Sequence, residues 1–303
     1  MVLLMSIIII LFILGICIGS FLNVVIYRMP EGLSIVTPRS HCFKCQKMIE
    51  WYDNIPLLSY IILRGKCRHC GAGYSPRYFL VELLTGILFL VVNWVFKGPN
   101  AASFVFTIVT CMLIAISFID LDHFIIPDEL SLSGIVFGLV VAVILCFKPT
   151  TNGLFPVENP NNLLFPIFKT WAPLVDSFLG LLLGGGILWG IGLIAQAILK
   201  KEAMGGGDVK LLAFVGAFTG WMPIILALMV SSLAGSIIGI IQLYLMKRKD
   251  SETELTGHYI PFGPFLAIGS LISILWGHLI IEWYLNLLTP DVSTMINGPR
   301  GMP

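Results

Sequence analysis

The sequence predicts an all-α, polytopic membrane protein of about eight transmembrane helices that carries a small cytoplasmic domain. Only 12% of its 303 residues are charged and 57% are hydrophobic, about half the charged share of a soluble domain. Uncharged runs such as 2–27 and 211–246 exceed the ~20 residues that a helix needs to cross a bilayer. These runs are continuous and do not alternate, which argues against spanning strands. A chain of this kind has the lipid bilayer as its first partner.

Eight spans follow in order, at roughly 3–27, 79–96, 101–119, 131–147, 175–199, 208–220, 222–246 and 261–288. The first differs from a secretory signal peptide, because no charged residue precedes Arg28 and the apolar stretch is too long. The sixth is short, and the turn signal Gly220-Trp221-Met222-Pro223 separates it from the seventh. Of the 18 Lys and Arg residues, 14 fall after spans one, three, five and seven or on the adjoining helix ends. They include eight from Arg28 to Arg77 and the triplet Lys247-Arg248-Lys249; Lys97, Lys148, Lys169 and Arg300 remain on the other side. Positive residues mark the cytoplasmic face, so both termini are expected outside. A net charge of +1 gives no footing for a nucleic-acid partner.

Residues 28–78 are basic, Cys-bearing and turn-rich, too few for a dependable hydrophobic core without a metal or the membrane to support them. Residues 148–174 hold five prolines and several Asn, and read as an irregular external loop. Residues 289–303 form a C-terminal tail. No internal repeat is evident. Gly180, the triplet Gly184-Gly185-Gly186 and Gly190 are expected to let helices approach closely.

Cys42-Phe43-Lys44-Cys45 and Cys67-Arg68-His69-Cys70 are two CxxC pairs with 21 residues between them. Each can present two thiolates from one tight turn, and Gly71 follows the second where a permissive backbone is needed. Two such knuckles complete a tetrahedral shell for a structural Zn²⁺ held by Cys42, Cys45, Cys67 and Cys70. The competing reading is two disulfides or idle thiols, which the reducing cytoplasm disfavours. His41 and His69 read as bystanders, and Cys17, Cys111 and Cys146 as small buried apolar residues within spans.

Carboxylates in the apolar body are few. Asp120, Asp122 and Asp128 lie at the cytoplasmic end of span three, and Asp208 follows Gly205, Gly206 and Gly207 and precedes Lys210 at the cytoplasmic start of span six. An ionisable residue placed in a bilayer is functional by default, although near a span's end a solvated carboxylate is the ordinary alternative. Both segments face one side, so their carboxyls can meet. Two carboxyls about 3 Å apart share one proton, which is the chemistry of an aspartic protease: one activates water while the other donates to the scissile carbonyl. The three glycines are expected to supply unusual backbone conformations before Asp208. Asp208 begins a helix and Asp120 ends one, so helix dipoles alone favour Asp208 as base and Asp120 as its protonated partner.

Several stretches together resemble the type IV prepilin peptidases. These are GSFLNVVIYRMP at 19–30, WYDNIPLLS at 51–59, Arg77-Tyr78, Val81-Glu82, FIDLD at 118–122 with IPD at 126–128, the Gly-x-Gly-Asp motif ending in Asp208, and PFGPF at 261–265. They run in family order from about Gly19 to Gly269. The resemblance implies that the family's two catalytic aspartates fall on Asp120 and Asp208, with Asp122, Asp128, Gly205, Gly206, Gly207 and Lys210 as support. It implies cleavage of leader peptides from prepilin or pseudopilin precursors at the cytoplasmic face of a bacterial inner membrane. It also implies methylation of the new N-terminus by S-adenosylmethionine. No glycine fingerprint of a dinucleotide-type fold shows where that methyl donor binds. The implied organisation is a first span at 1–27, a zinc-binding and methyltransferase domain at 28–78 and an aspartic peptidase domain at 79–288. Departures are modest: the loop between the aspartate motifs is long, and Phe79 stands where the family usually has Pro.

Two rival readings remain. Preflagellin and signal-peptide peptidases share the Gly-x-Gly-Asp motif but are expected to lack the four-cysteine loop. An ion-coupled transporter with midplane aspartates fits less well, since these aspartates lie at one face.

Overall fold

The computed structural model describes residues 2–147, 171–200, 205–249 and 261–288. Among them the chain is helical: α1 (Val2–Arg28), α2 (Leu58–Ile62), α3 (Pro76–Val95), α4 (Ala101–His123), α5 (Asp128–Phe147), α6 (Ala172–Leu199), α7 (Gly206–Thr219), α8 (Trp221–Lys249) and α9 (Gly263–Leu288). The only extended pairing among these residues is two isolated bridges, His41 with Met48 and Lys66 with Gly73. Seven of the helices are long and apolar enough to cross a membrane, so this is a multi-pass membrane protein. The eighth expected span is α7. Its 14 residues extend about 21 Å, short of a hydrocarbon core of about 30 Å. It is tolerated because every residue from Leu211 to Thr219 is buried among its neighbours, so protein rather than lipid surrounds it.

Helix ends follow local chemistry. Ser75 accepts the Arg77 N–H and Pro76 occupies the first turn, so α3 starts three residues earlier than apolarity alone suggests. Asn100 and Ser103 form a reciprocal capping box at the start of α4. At its other end α4 runs four residues past its expected limit of 119, to a left-handed cap at Phe124 whose N–H returns to the Asp120 carbonyl. Asp120 and Asp122 therefore sit on the last turn of a helix and not in a loop.

The helix α4 separates two apolar clusters. On one side Ile114, Ala115 and Ile119 pack with Leu22, Val25 and Ile26 of α1 and Val81 of α3. On the other, Leu113 and Ile116 join Leu211, Phe214 and Val215 of α7, Ile224 and Ala227 of α8 and Leu266 of α9. The α6–α7 contact is close because of glycine: a Cβ on Gly180 would collide with the Gly216 carbonyl and the Gly220 backbone, and Ser177 Oγ donates to the Ala217 carbonyl at 2.6 Å. Gly186 and Gly190, by contrast, face open space. Cys146 is buried as expected, but Cys111 is half-buried and Cys17 lies exposed on the outer surface of α1, where lipid accepts an apolar thiol as readily as a core does. Of the external loop expected at 148–174, positions 148–170 lie outside the described residues, as does the tail 289–303.

Candidate active site and metal centre

The two CxxC segments build near-identical knuckles. Cys42 N–H donates to the Lys47 carbonyl and Gln46 N–H to the Cys42 carbonyl; Cys67 N–H donates to the Ala72 carbonyl and Gly71 N–H to the Cys67 carbonyl. The turn residue after each pair is left-handed, Gln46 at φ 58° and Gly71 at φ 70°. This is a local duplication, 25 residues apart, that the sequence shows only faintly because Gln holds the position Gly holds in its twin. The four sulfurs lie within 4.8 Å of one another, and those of Cys42 and Cys70 are 3.8 Å apart. A tetrahedron of Zn–S bonds sets sulfurs about 3.8 Å apart, so the group fits a zinc ion.

Electrostatics agrees with a cation site. The Cys45 and Lys44 N–H groups favour the Cys42 thiolate and bring its pKa down to about 6. The Cys70 and His69 N–H groups lower Cys67 in the same way, and the Tyr74 phenol adds a further hydrogen bond to it. At Cys70 the Ala72 N–H also favours the thiolate, but burial and the neighbouring sulfurs outweigh it and push the group up to about 11. Crowded thiolates of this kind call for a metal. Arg68, inside the second knuckle, grips Asp53 of the WYDN turn with contacts of 2.6 to 3.0 Å and lies over the Tyr52 ring.

The structure separates the four candidate aspartates. Asp120 is buried at 6% exposure, and its Oδ2 accepts the Gly263 N–H at 2.9 Å at the start of α9. Asp208 is half-buried in the first turn of α7, next to Gly207, which packs on Ile126 in the segment that follows α4. Asp122 and Asp128 are exposed. Asp122 pairs with Arg77 of α3, and Asp128 with Lys210 Nζ of α7 at 2.6 Å. Lys210 thus ties the starts of α5 and α7 together and does not face the inner pair.

The glycines before Asp208 act otherwise than expected, for none of the three takes a positive φ. Gly207 matters for closeness, since a Cβ there would lie 2.9 Å from Ile126 Cβ, in the segment between Asp120 and Asp128. Gly205 and Gly206 are exposed, which leaves the approach to Asp208 bare. Gly263 is the residue that sequence reasoning missed. Its motif at 261–265 was legible, but its contact with a carboxylate 143 positions away was not.

Comparison with known proteins agrees. A family model described as "Bacterial Peptidase A24 N-terminal domain" matches residues 13–96, and one described as "Type IV leader peptidase family" matches 107–240. The chain is similar to proteins named prepilin leader peptidase/N-methyltransferase from Aeromonas salmonicida (35% identical, covering 91% of this chain and 93% of the relative) and Pseudomonas aeruginosa (36%, covering 90% and 91%). A third, from Legionella pneumophila, is 34% identical and covers 90% and 92%. No solved structure matches.

Proposed function

The chain belongs to the type IV leader peptidase family, and from that premise we propose that it cleaves leader peptides from prepilin-like precursors and N-methylates the residue exposed. The observation that carries the peptidase reading is the placement of Asp120 on the last turn of α4 and Asp208 on the first turn of α7 at one end of the bundle, where Gly207 packs on Ile126 beside an exposed Gly205-Gly206 approach.

The two carboxyls share one proton. Gly263 N–H on Asp120 revises the roles that helix dipoles alone suggest. A hydrogen bond to a charged acceptor contributes about 1.5–3 kcal/mol, against about 0.3–1 kcal/mol for a helix terminus. Asp120 is therefore the carboxylate that takes a proton from the attacking water through Oδ1, its Oδ2 being held by α9. Asp208 carries the proton that polarises the scissile carbonyl. The resulting tetrahedral diol collapses with proton transfer to the leaving amine, and no bond to the enzyme forms.

The basic loop 28–78 and both aspartates face the cytoplasm of a bacterial inner membrane, supported by the charge asymmetry of the loops. Cys42, Cys45, Cys67 and Cys70 hold the zinc ion, which supplies folding energy to a unit with little core of its own. S-adenosylmethionine, when bound, supplies a methyl group activated on a sulfonium. The proposed organisation is a first span at 1–27, a zinc and methyltransferase unit at 28–78, and the peptidase at 79–288. The deciding experiment is mass spectrometry of a prepilin incubated with purified protein and S-adenosylmethionine. Loss of the leader together with a 14 Da gain on the new N-terminus is expected, the mass of one CH₂ on about that scale. An intact prepilin would overturn the reading and favour a transporter; cleavage without the gain would favour a peptidase-only relative.

A further inference from the structure

A cavity of about 480 Å³ opens between the zinc unit and the cytoplasmic ends of α1 and α3, a volume within the range of small-molecule sites. Neither the aspartate pair nor the thiolates line its main chamber. Aromatic rings form part of its wall, and three of its polar side chains are unusual. Tyr60 and Phe79 form one ring pair with centroids 5.5 Å apart, and Tyr27 and Phe43 another at 4.9 Å; all four line the cavity.

Three polar side chains in the wall are each nine-tenths buried or more: Asn23 at 5% exposure, Arg28 at 8% and Glu82 at 9%. Asn23 Nδ2 donates to the Tyr78 carbonyl at 3.0 Å. Since a carbonyl can only accept, the orientation of the amide is fixed, and Asn23 Oδ1 is left buried with no partner among the described residues. A buried acceptor in that state costs roughly 1–3 kcal/mol unless something fills it. Arg28 donates only to the neutral carbonyls of Ser34 and Pro38, with no carboxylate beside it among the described residues. One Glu82 oxygen accepts the Leu57 N–H at 2.8 Å. The chamber therefore offers a cation, an anion, an orphaned acceptor and aromatic faces. Its other ionisable side chains besides the tyrosines are His41, Lys66 and Asp53, the last already held by Arg68.

We infer that this cavity is the binding site for S-adenosylmethionine, with Asn23, Arg28 and Glu82 as its polar anchors. The inference rests on the methylating activity proposed above and gives it a place. The ligand's carboxylate matches the uncompensated Arg28. Glu82 and the rings match its positive groups, an aromatic face attracting a ligand cation. The adenine supplies a flat surface for stacking and an N–H for Asn23 Oδ1. The location suits the chemistry. Tyr78 lines the cavity, and the adjacent Arg77 pairs with Asp122, two residues beyond Asp120. The amine freed at the aspartates thus emerges at the cavity's flank. Once it has lost a proton to water, its nitrogen lone pair forms the N–C bond as the S–C bond breaks. The S–C electron pair stays on sulfur as a neutral thioether, and the positive charge passes to the amine.

The test measures equilibrium binding of S-adenosylmethionine to the full-length, zinc-loaded protein, alongside Asn23→Leu and Glu82→Gln. The Gln variant keeps an oxygen for Leu57 N–H and nearly the same shape. Each variant should bind at least about tenfold more weakly, the worth of roughly one lost polar anchor, with zinc content and melting temperature unchanged. An azido-adenine analogue of the donor supplies a second measurement independent of any variant, and should label peptides within 20–82 and be displaced by S-adenosylhomocysteine. Wild-type protein that binds and methylates, with variants that bind equally well and a label elsewhere, overturns the site and leaves the methylation reading standing. Wild-type protein that neither binds the donor nor methylates overturns both. A label displaced by leader peptide but not by S-adenosylhomocysteine gives the cavity to the peptide and overturns the inference.

Discussion

Replacing Gly263 with alanine perturbs the aspartate pair without removing a carboxyl. A Cβ at that position would lie 2.6 Å from Asp120 Oδ2, 3.0 Å from its Cγ and 3.2 Å from its Cβ. Turning one oxygen does not relieve three contacts along one side chain, so either the carboxyl retreats from α9 or α9 retreats from α4. A carbon–oxygen contact needs roughly 3.3 Å, which sets the displacement at about 0.7 Å. That movement stretches the 2.9 Å bond from Gly263 N–H. Losing a hydrogen bond to a charged acceptor costs about 1.5–3 kcal/mol, or about 10- to 150-fold in rate. Misplacing a catalytic group by 1 Å costs about 10²-fold. Both routes predict a kcat for leader cleavage lower by about 10²-fold, with KM changed little because the substrate's own contacts remain. The assay is cleavage of a synthetic prepilin by purified protein across substrate concentrations, with zinc content as the check on folding. Gly186→Ala is the matched control, since a Cβ at Gly186 meets nothing within 4 Å. A Gly263→Ala protein with wild-type kcat would refute the reasoning, because Asp120 would then not depend on α9.

Asp120→Asn and Asp208→Asn keep shape but cannot exchange the proton, and each should lower cleavage by about 10²–10⁴-fold. Asp122→Asn and Asp128→Asn, which break exposed pairs with Arg77 and Lys210, should cost less than about tenfold; a collapse of cleavage in Asp122→Asn with full activity in Asp120→Asn would move the role. Purified protein should contain one zinc per chain by metal analysis, and Cys→Ser at position 42 or 67 should impair methylation more than cleavage; a metal content near zero in active protein would remove the site. Zinc should be released on strong acidification, as protons compete with the metal for the four thiolates; a metal content that acid leaves unchanged would count against a thiolate shell. Reagents applied outside intact cells should miss a cysteine placed at Lys44 and reach one at Asn161, and the reverse pattern would invert the topology.

Where apolarity decided the structure, the sequence was readable; where a contact joined distant residues, it was not. The long spans, the zinc knuckles and the face shared by Asp120 and Asp208 all follow from local pattern and charge. The ends of α3 and α4 moved because caps, not hydrophobicity, set them: Ser75 with Pro76, and the left-handed Phe124. Glycine was the least legible residue. Before Asp208 it promised unusual φ values and delivered close approach to Ile126, while the decisive glycine, Gly263, stood in a motif with no carboxylate in sight. Gln46 hid the duplication of the knuckles, because sequence propensity ranks Gln low for the left-handed turn that it occupies.

The packing of α4 explains how one chain can hold a peptidase and a methyltransferase in register. Arg77 and Asp122 are each partly exposed, and such pairs contribute about 0–1 kcal/mol, too little to fix the four-cysteine unit against the bundle. The apolar cluster of Leu22, Val25, Ile26 and Val81 against Ile114, Ala115 and Ile119 is the stronger tie, since one fully buried aliphatic side chain contributes about 1.5–3 kcal/mol. That cluster fixes the ends of α1 and α3, which form the cavity wall, to the same helix whose last turn carries Asp120. The opposite face of α4 packs on α9, which brings the Gly263 N–H, and shares an apolar cluster with α7, which carries Asp208. The proposed cleavage site and the cavity are therefore both built on α4 and the helices packed against it. The ion pair selects the orientation at its end. On the proposed assignment, an amine freed beside Gly205 and Gly206 reaches the cavity around the end of α4, where Arg77 meets Asp122.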